Sequence, residues 1–95
     1  MQVKFESSYE RSLKHFQKRN KNMLSIIDET IELLKENKDD PRLKYKKINC
    51  KKSKNRYSIR VLGGAYRILF TVLPDEYILV CVCDHDKYDH YNKNC

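Results

Sequence analysis

The sequence predicts an α+β domain: an N-terminal strand and a helical hairpin packed on an antiparallel sheet of three to four strands. Three observations carry this. Apolar residues recur at helical spacing from Tyr9 to Leu34, they alternate with period two on either side of Gly63-Gly64, and turn signals part the alternating runs. The 95 residues make a single domain, 1–95, and a hydrophobic share of 40% with 11% aromatics supplies a core and argues against disorder.

The first element is the short strand "QVKFE", residues 2–6. Ser7 and Glu10 stand at the spacing of a capping box and open a helix. Along it Tyr9, Leu13 and Phe16 follow i, i+4, i+7, while Arg11, Lys14, Lys18 and Arg19 face elsewhere. "KRNKN" interrupts the pattern. A second helix carries Met23, Ile27, Thr30, Ile31 and Leu34 on one face, with Asp28, Glu29, Glu32 and Glu36 largely on others. Pro41 ends this stretch, because the residue before a proline is pushed out of the helical region.

After Pro41 the signal turns to strand. "LKYKKI" alternates imperfectly and "NCKKSKN" is a polar, basic loop. "RYSIRVL", "AYRILFTVL" and "YILVCVC" form a meander, joined at Gly63-Gly64 and at Pro74-Asp75-Glu76. The two glycines supply the positive φ that a tight hairpin turn needs. Tyr57, Ile59 and Val61 share one face of the hairpin with Tyr66, Ile68, Phe70 and Val72; Arg56, Ser58, Arg60 and Arg67 lie on the other.

The net charge of +7 is unevenly placed. From Arg42 to Arg67 stand ten basic residues and no acid, while the rest of the chain holds ten basic against 13 acidic. A solvated lysine-rich surface explains scattered charge but not this local lack of acids, so a polyanion is the expected partner, nucleic acid first. No apolar run approaches the ~20 residues that span a bilayer, and "MQVKFESSYERS" lacks the apolar core of a signal peptide. The expectation is a cytoplasmic protein with no membrane partner. Cys50, Cys81, Cys83 and Cys95 fit thiols of a reducing compartment better than a disulfide framework.

The helical hairpin, the basic "RLKYKKI" segment, the "YSIRVLGGAYRILF" hairpin, the hydrophobic last strand and the polar "DHDKYDHY" end together resemble the RelE/ParE superfamily of small bacterial toxins, more closely its ribonuclease branch. The resemblance covers nearly the whole chain. It implies a microbial-RNase-like fold and cleavage of messenger RNA, usually in the ribosomal decoding site, by attack of the RNA 2′-hydroxyl on the adjacent phosphorus. It implies no metal or other cofactor, and a cognate antitoxin that holds the protein inactive.

By that resemblance Arg67, in the "YR" of the second hairpin strand, holds the scissile phosphate, where a guanidinium can donate two bonds to the charge that builds up on phosphorus. The plain alternative is an exposed strand arginine, or one paired with Asp84 or Asp86. Arg60 matches a basic position on the first strand and supports the phosphate; it keeps its proton at neutral pH and so is no general base. Some relatives carry a lysine there or two residues earlier, where this chain has Ser58, which moves the proton-transfer role elsewhere. His85, at the end of the last strand, is the candidate, since an imidazole titrating near ~6.5 gives or takes a proton at neutral pH. Tyr91, with Tyr88 as its rival, matches the aromatic that stacks on or orients a base; simple packing on the sheet is the alternative for both. Lys44, Lys46, Lys47, Lys51, Lys52 and Lys54, with Arg56, would bind RNA backbone in a salt-dependent way. The hairpin arginines then build an anion site on the open face of the sheet.

Three other readings compete. Cys81, Cys83 and His85, with His90 and Cys95, offer zinc-type ligands, but ligands two apart on a strand diverge by ~6–7 Å per step, and cysteine in "ILVCVC" is more simply a small buried hydrophobe. A gyrase-poisoning, ParE-like toxin would leave messages intact. A non-catalytic RNA-binding relative would bind RNA and cut nothing.

Overall fold

A computed structural model of the chain describes residues 2–19, 22–48, 53–62 and 66–84. The elements run β1 (Gln2–Phe5), α1 (Ser7–Arg19), α2 (Asn22–Glu36), β2 (Lys46–Lys47), β3 (Arg56–Arg60), β4 (Arg67–Val72) and β5 (Glu76–Cys83). All five strands join one sheet in the order β1-β5-β4-β3-β2. The meander β2 to β5 is antiparallel as expected. β1 is not a separate element beside it: it adds to the last strand in parallel, with Gln2 opposite Glu76 and Phe5 opposite Leu79. Parallel neighbours need a long crossover, and here everything from α1 to β4 supplies it. An ion pair of 3.0 Å between Lys4 and Glu76 ties the two strands side by side.

Helix α1 opens at Ser7, but Glu6 takes the cap position. Its carbonyl accepts from the N–H groups of Tyr9 (3.0 Å) and Glu10 (3.3 Å). The Ser8 hydroxyl donates to Val80 O at 2.6 Å, and Ser12 Oγ accepts from the Val82 N–H at 3.0 Å. These two bonds have a topological reason. Pairing with β1 stops at Leu79, so among the described residues the outer edge of β5 beyond it has no strand neighbour. The α1 serines satisfy part of that edge, as buried backbone groups require.

The expected apolar face of the hairpin is the one the helices cover. Tyr9, Met23, Ile27, Leu34, Leu43, Ile59, Ile68, Phe70, Tyr77, Leu79 and Val82 pack there, with Leu13, Tyr57, Tyr66 and Val72 at the margins. Phe70 is the hub of an aromatic group: its ring centroid lies 5.8 Å from Tyr45, 6.3 Å from Tyr57 and 5.5 Å, edge to face, from Tyr77. Thr30 is fully buried, yet its hydroxyl is satisfied twice, donating to Ile26 O (2.7 Å) and accepting from the Leu62 N–H (3.1 Å). That bond links α2 to the chain leaving β3.

Two local features escape a period-two reading. "LKYKKI" forms only the two-residue β2, because Lys44 adopts φ 49°, a left-handed conformation that no strand continues through. In β5 the pairing with β4 slips between Leu69 and Phe70, so that Leu69 faces Cys81 while Phe70 faces Leu79. Val80 is the extra residue of a bulge. It turns to the same side as Cys81 and Cys83, where the three join Ile48 and Leu69 in a second, smaller core. The cysteines of "ILVCVC" are thus buried apolar residues.

Candidate nucleic-acid interface

Strand pairing sets the geometry of the arginines. Across β3 and β4, Arg60 stands opposite Arg67, Ser58 opposite Leu69 and Arg56 opposite Thr71. The Val61 N–H donates to Tyr66 O (3.0 Å) and the Val72 N–H to Asn55 O (2.9 Å), whereas the Arg60 N–H turns away from β4 to Leu43 O (2.6 Å). The hydrogen-bonded pairs are therefore those of odd-numbered β3 residues, and Arg60·Arg67 is a non-hydrogen-bonded pair. In such pairs the Cα atoms approach to ~4.5 Å and the side chains are at their closest. The two side chains therefore leave one face of the sheet from opposed positions, Arg60 exposed and Arg67 half-buried.

An anion that both side chains reach would be held by two cations at once. The surface beneath strengthens this. The centre of that face is not open: Ser58 and the cluster of Ile48, Leu69, Val80, Cys81 and Cys83 are buried there. The arginines occupy the rim of an apolar floor, where charges are screened less than in bulk water.

The basic segment does not act as one surface. Lys46 stands opposite Ser58 and shares the arginine face, but Lys47 stands opposite Tyr57 and points to the other side. Both are exposed, as are Lys44 and Lys54. Arg56 is half-buried, and its Nε has no hydrogen-bond partner. Arg42 is already neutralised: its Nε and Nη2 donate to the two carboxylate oxygens of Asp40 at 3.1 and 3.0 Å. The hydrogen bonds from Arg42 hold the Asp40 carboxyl below the usual carboxylate range. Asp40 lies two residues before the basic window, so a count confined to that window overlooks the pair. Lys51, Lys52, His85, Tyr88 and Tyr91 lie outside the described residues, as do His90 and Cys95. Among the described residues no three His, Cys, Asp or Glu are grouped to hold a metal ion.

A second basic cluster received no role from the sequence. Arg11, Lys14, His15 and Lys18 of α1 line a cavity of about 230 Å³. Its signal in the sequence is the spacing i, i+3, i+4, i+7, of which the apolar periodicity sets Arg11, Lys14 and Lys18 off the core face and leaves His15 unremarked.

No family model and no curated protein matches the chain in sequence. Solved structures do match in fold. A chain of the Escherichia coli DinJ–YafQ complex superposes with a TM-score of 0.75 at 15% identity, covering 90% of this chain and 93% of that one. A copper-bound mutant toxin from Helicobacter pylori superposes at 0.75 and 18% identity, over 92% of this chain and 97% of that one. A chain of the heterotetrameric YoeB–YefM toxin–antitoxin complex from Staphylococcus aureus superposes at 0.67 and 21% identity, over 90% and 95%. The chain has the fold of these toxins, the RelE/ParE-type fold that the sequence resemblance implied.

Proposed function

We propose that the chain is the toxin of a toxin–antitoxin pair and a metal-independent endoribonuclease that cuts messenger RNA, at the ribosomal A site, in the cytoplasm. The observation that carries the reading is the close, facing pair Arg60·Arg67 on the rim of a sheet whose fold is shared with solved toxins. A phosphodiester is the anion such a pair suits. Arg67 donates to the non-bridging oxygens, and Arg60 offsets the extra negative charge of the five-coordinate phosphorus. In the step itself the 2′-oxygen loses its proton and bonds to phosphorus, the bond from phosphorus to the 5′-oxygen breaks, and that oxygen takes up a proton. The products are a 2′,3′-cyclic phosphate and a 5′-hydroxyl end.

Neither arginine moves the proton, since a guanidinium serves as a donor of hydrogen bonds and not as an acid or base. His85 is assigned that role and Tyr91 the orientation of the base, with Tyr88 beside it; Lys44, Lys46, Lys47, Lys51, Lys52, Lys54 and Arg56 hold the backbone. An antitoxin partner is supported by the toxin–antitoxin assembly in which one structural neighbour was solved.

The test is to map messenger RNA 5′ ends in bacterial cells after brief induction of the wild-type chain and of Arg67→Ala. New 5′-hydroxyl ends at codon-phased positions, absent with the variant, are the expected result. Growth arrest with intact messages would overturn the nuclease reading in favour of gyrase poisoning. RNA binding without arrest or cleavage would leave a non-catalytic relative.

A further inference from the structure

Charge is segregated between the two helices. α1 carries Arg11, Lys14, Lys18 and Arg19 against the single acid Glu10, whereas α2 carries Asp28, Glu29, Glu32 and Glu36 against Lys35. The four acids of α2 are exposed, as are Arg11, Lys14, His15 and Lys18. At 100° per residue, the last four lie on the side of α1 opposite the buried Tyr9 and converge on the same cavity. Residues three and four apart on a helix are neighbours, so the like charges Arg11/Lys14 and Lys14/Lys18 repel. Among the described residues, Arg11, Lys14 and Lys18 have no ion-pair partner to relieve this.

The position of α1 gives the cluster a direction. The bonds from Ser8 to Val80 and from Val82 to Ser12 lay α1 alongside β5, both chains running the same way. The next turns carry His15 and Lys18 towards the end of the sheet where Arg67 stands opposite Cys83 and Arg60. The two basic groups therefore share one end of the molecule, to which the bond between Thr30 and Leu62 also fixes the middle of α2.

We infer that the outward face of α1 is a second polyanion site, in which Arg11, Lys14, His15 and Lys18 take the phosphodiester backbone of RNA away from the phosphate held by Arg67. The stripe spans ~10 Å of helix, long enough for successive phosphates but without any group that reads a base by geometry fixed in the sheet. The inference rests on the RNA-cleaving reading for the identity of the polyanion.

The test uses uncleavable probes, a short 2′-O-methyl RNA hairpin and a single strand of the same chemistry, read by fluorescence anisotropy against salt. Arg11→Glu/Lys14→Glu/Lys18→Glu should weaken hairpin binding about 10- to 100-fold and flatten the salt dependence by about 2–3 in log–log slope, as the loss of three phosphate contacts requires. The milder Arg11→Gln/Lys14→Gln/Lys18→Gln, which keeps good helix formers, should show most of the same flattening and guards against a folding defect. A loss confined to the hairpin assigns the face to duplex backbone; equal losses on both probes assign it to backbone of either kind. Unchanged affinity and slope in the glutamine variant would overturn the site. So would sensitivity of binding to anionic lipid vesicles with none to either RNA. Because the probes lack the attacking hydroxyl, the result is independent of cleavage: if unmodified RNA is never cut, the nuclease reading falls while this measurement stands.

Discussion

Arg60→Gln should make the protein more stable while removing part of its anion site. Arg60 and Arg67 face each other in a close, non-hydrogen-bonded pair. Two unit charges at the ~4.5–5.5 Å that separates opposed Cβ atoms repel by at most about 0.8–0.9 kcal/mol with the screening of bulk water. Opposed pairs in sheets typically contribute about 0.2–1 kcal/mol, and Arg60 is exposed, so the gain belongs near about 0.5–1 kcal/mol. For a domain of this size that is a rise in Tm of about 2–8 °C. The assay is urea unfolding of the wild type and Arg60→Gln at low salt and near 1 M, where the screening length shrinks to about 3 Å. The gain should appear at low salt and vanish at high salt. Inorganic phosphate should narrow the gap by stabilising the wild type more, as any ligand of the folded state does. A loss of stability at low salt, or a gain that ignores salt, would refute the geometry and with it the argument for an anion between the two arginines.

Other expectations follow from the packing and its hydrogen bonds. Phe70→Ala empties the centre of the aromatic group and should cost about 3–5 kcal/mol in urea unfolding; a cost below about 1 kcal/mol would mean the core is not organised around that ring. Ser12→Ala leaves the Val82 N–H without its acceptor and should cost about 1–3 kcal/mol, with faster hydrogen exchange at that amide than at Ile68, deep in the ladder. Burial, aided by Tyr77, Tyr57 and Asp39, pushes Tyr45 up to about 12, and burial likewise raises Tyr77 and Tyr9. Between pH 10 and 12 the native state then binds more protons than the unfolded chain, so stability is fully present below pH 10 and falls as the pH rises. The urea midpoint should trace that decline, less steeply in Tyr45→Phe.

How much was legible can be argued residue by residue. The hairpin faces were, because period two is a local property of the chain: Tyr57, Ile59, Ile68 and Phe70 pack under the helices, and Arg60 and Arg67 lie opposite. The start of α1 was legible only in place. Glu6 rather than Ser7 caps it, and Ser8 and Ser12 bond to the backbone of β5, some seventy residues away in sequence. The closed centre of the arginine face was not legible, since it depends on a bulge at Val80 that puts Cys81 and Cys83 on that face. The basic window overstated its surface for a similar reason: Lys46 and Lys47 are adjacent in sequence and point to opposite sides, and Arg42 is bound to Asp40.

The sequence by itself determined which residues are apolar at what period, and therefore two helices, a meander and the faces of its hairpin. It also determined that the charge is basic and concentrated, and therefore that a polyanion is the natural partner. Only the tertiary structure decided that β1 pairs in parallel with β5, that Arg60 and Arg67 meet in the close kind of pair, and that the stripe on α1 points to the same end of the molecule. The physical reason is that periodicity is written in neighbouring residues, whereas register, bulges and edge protection are settled by backbone hydrogen bonds between segments far apart in the chain.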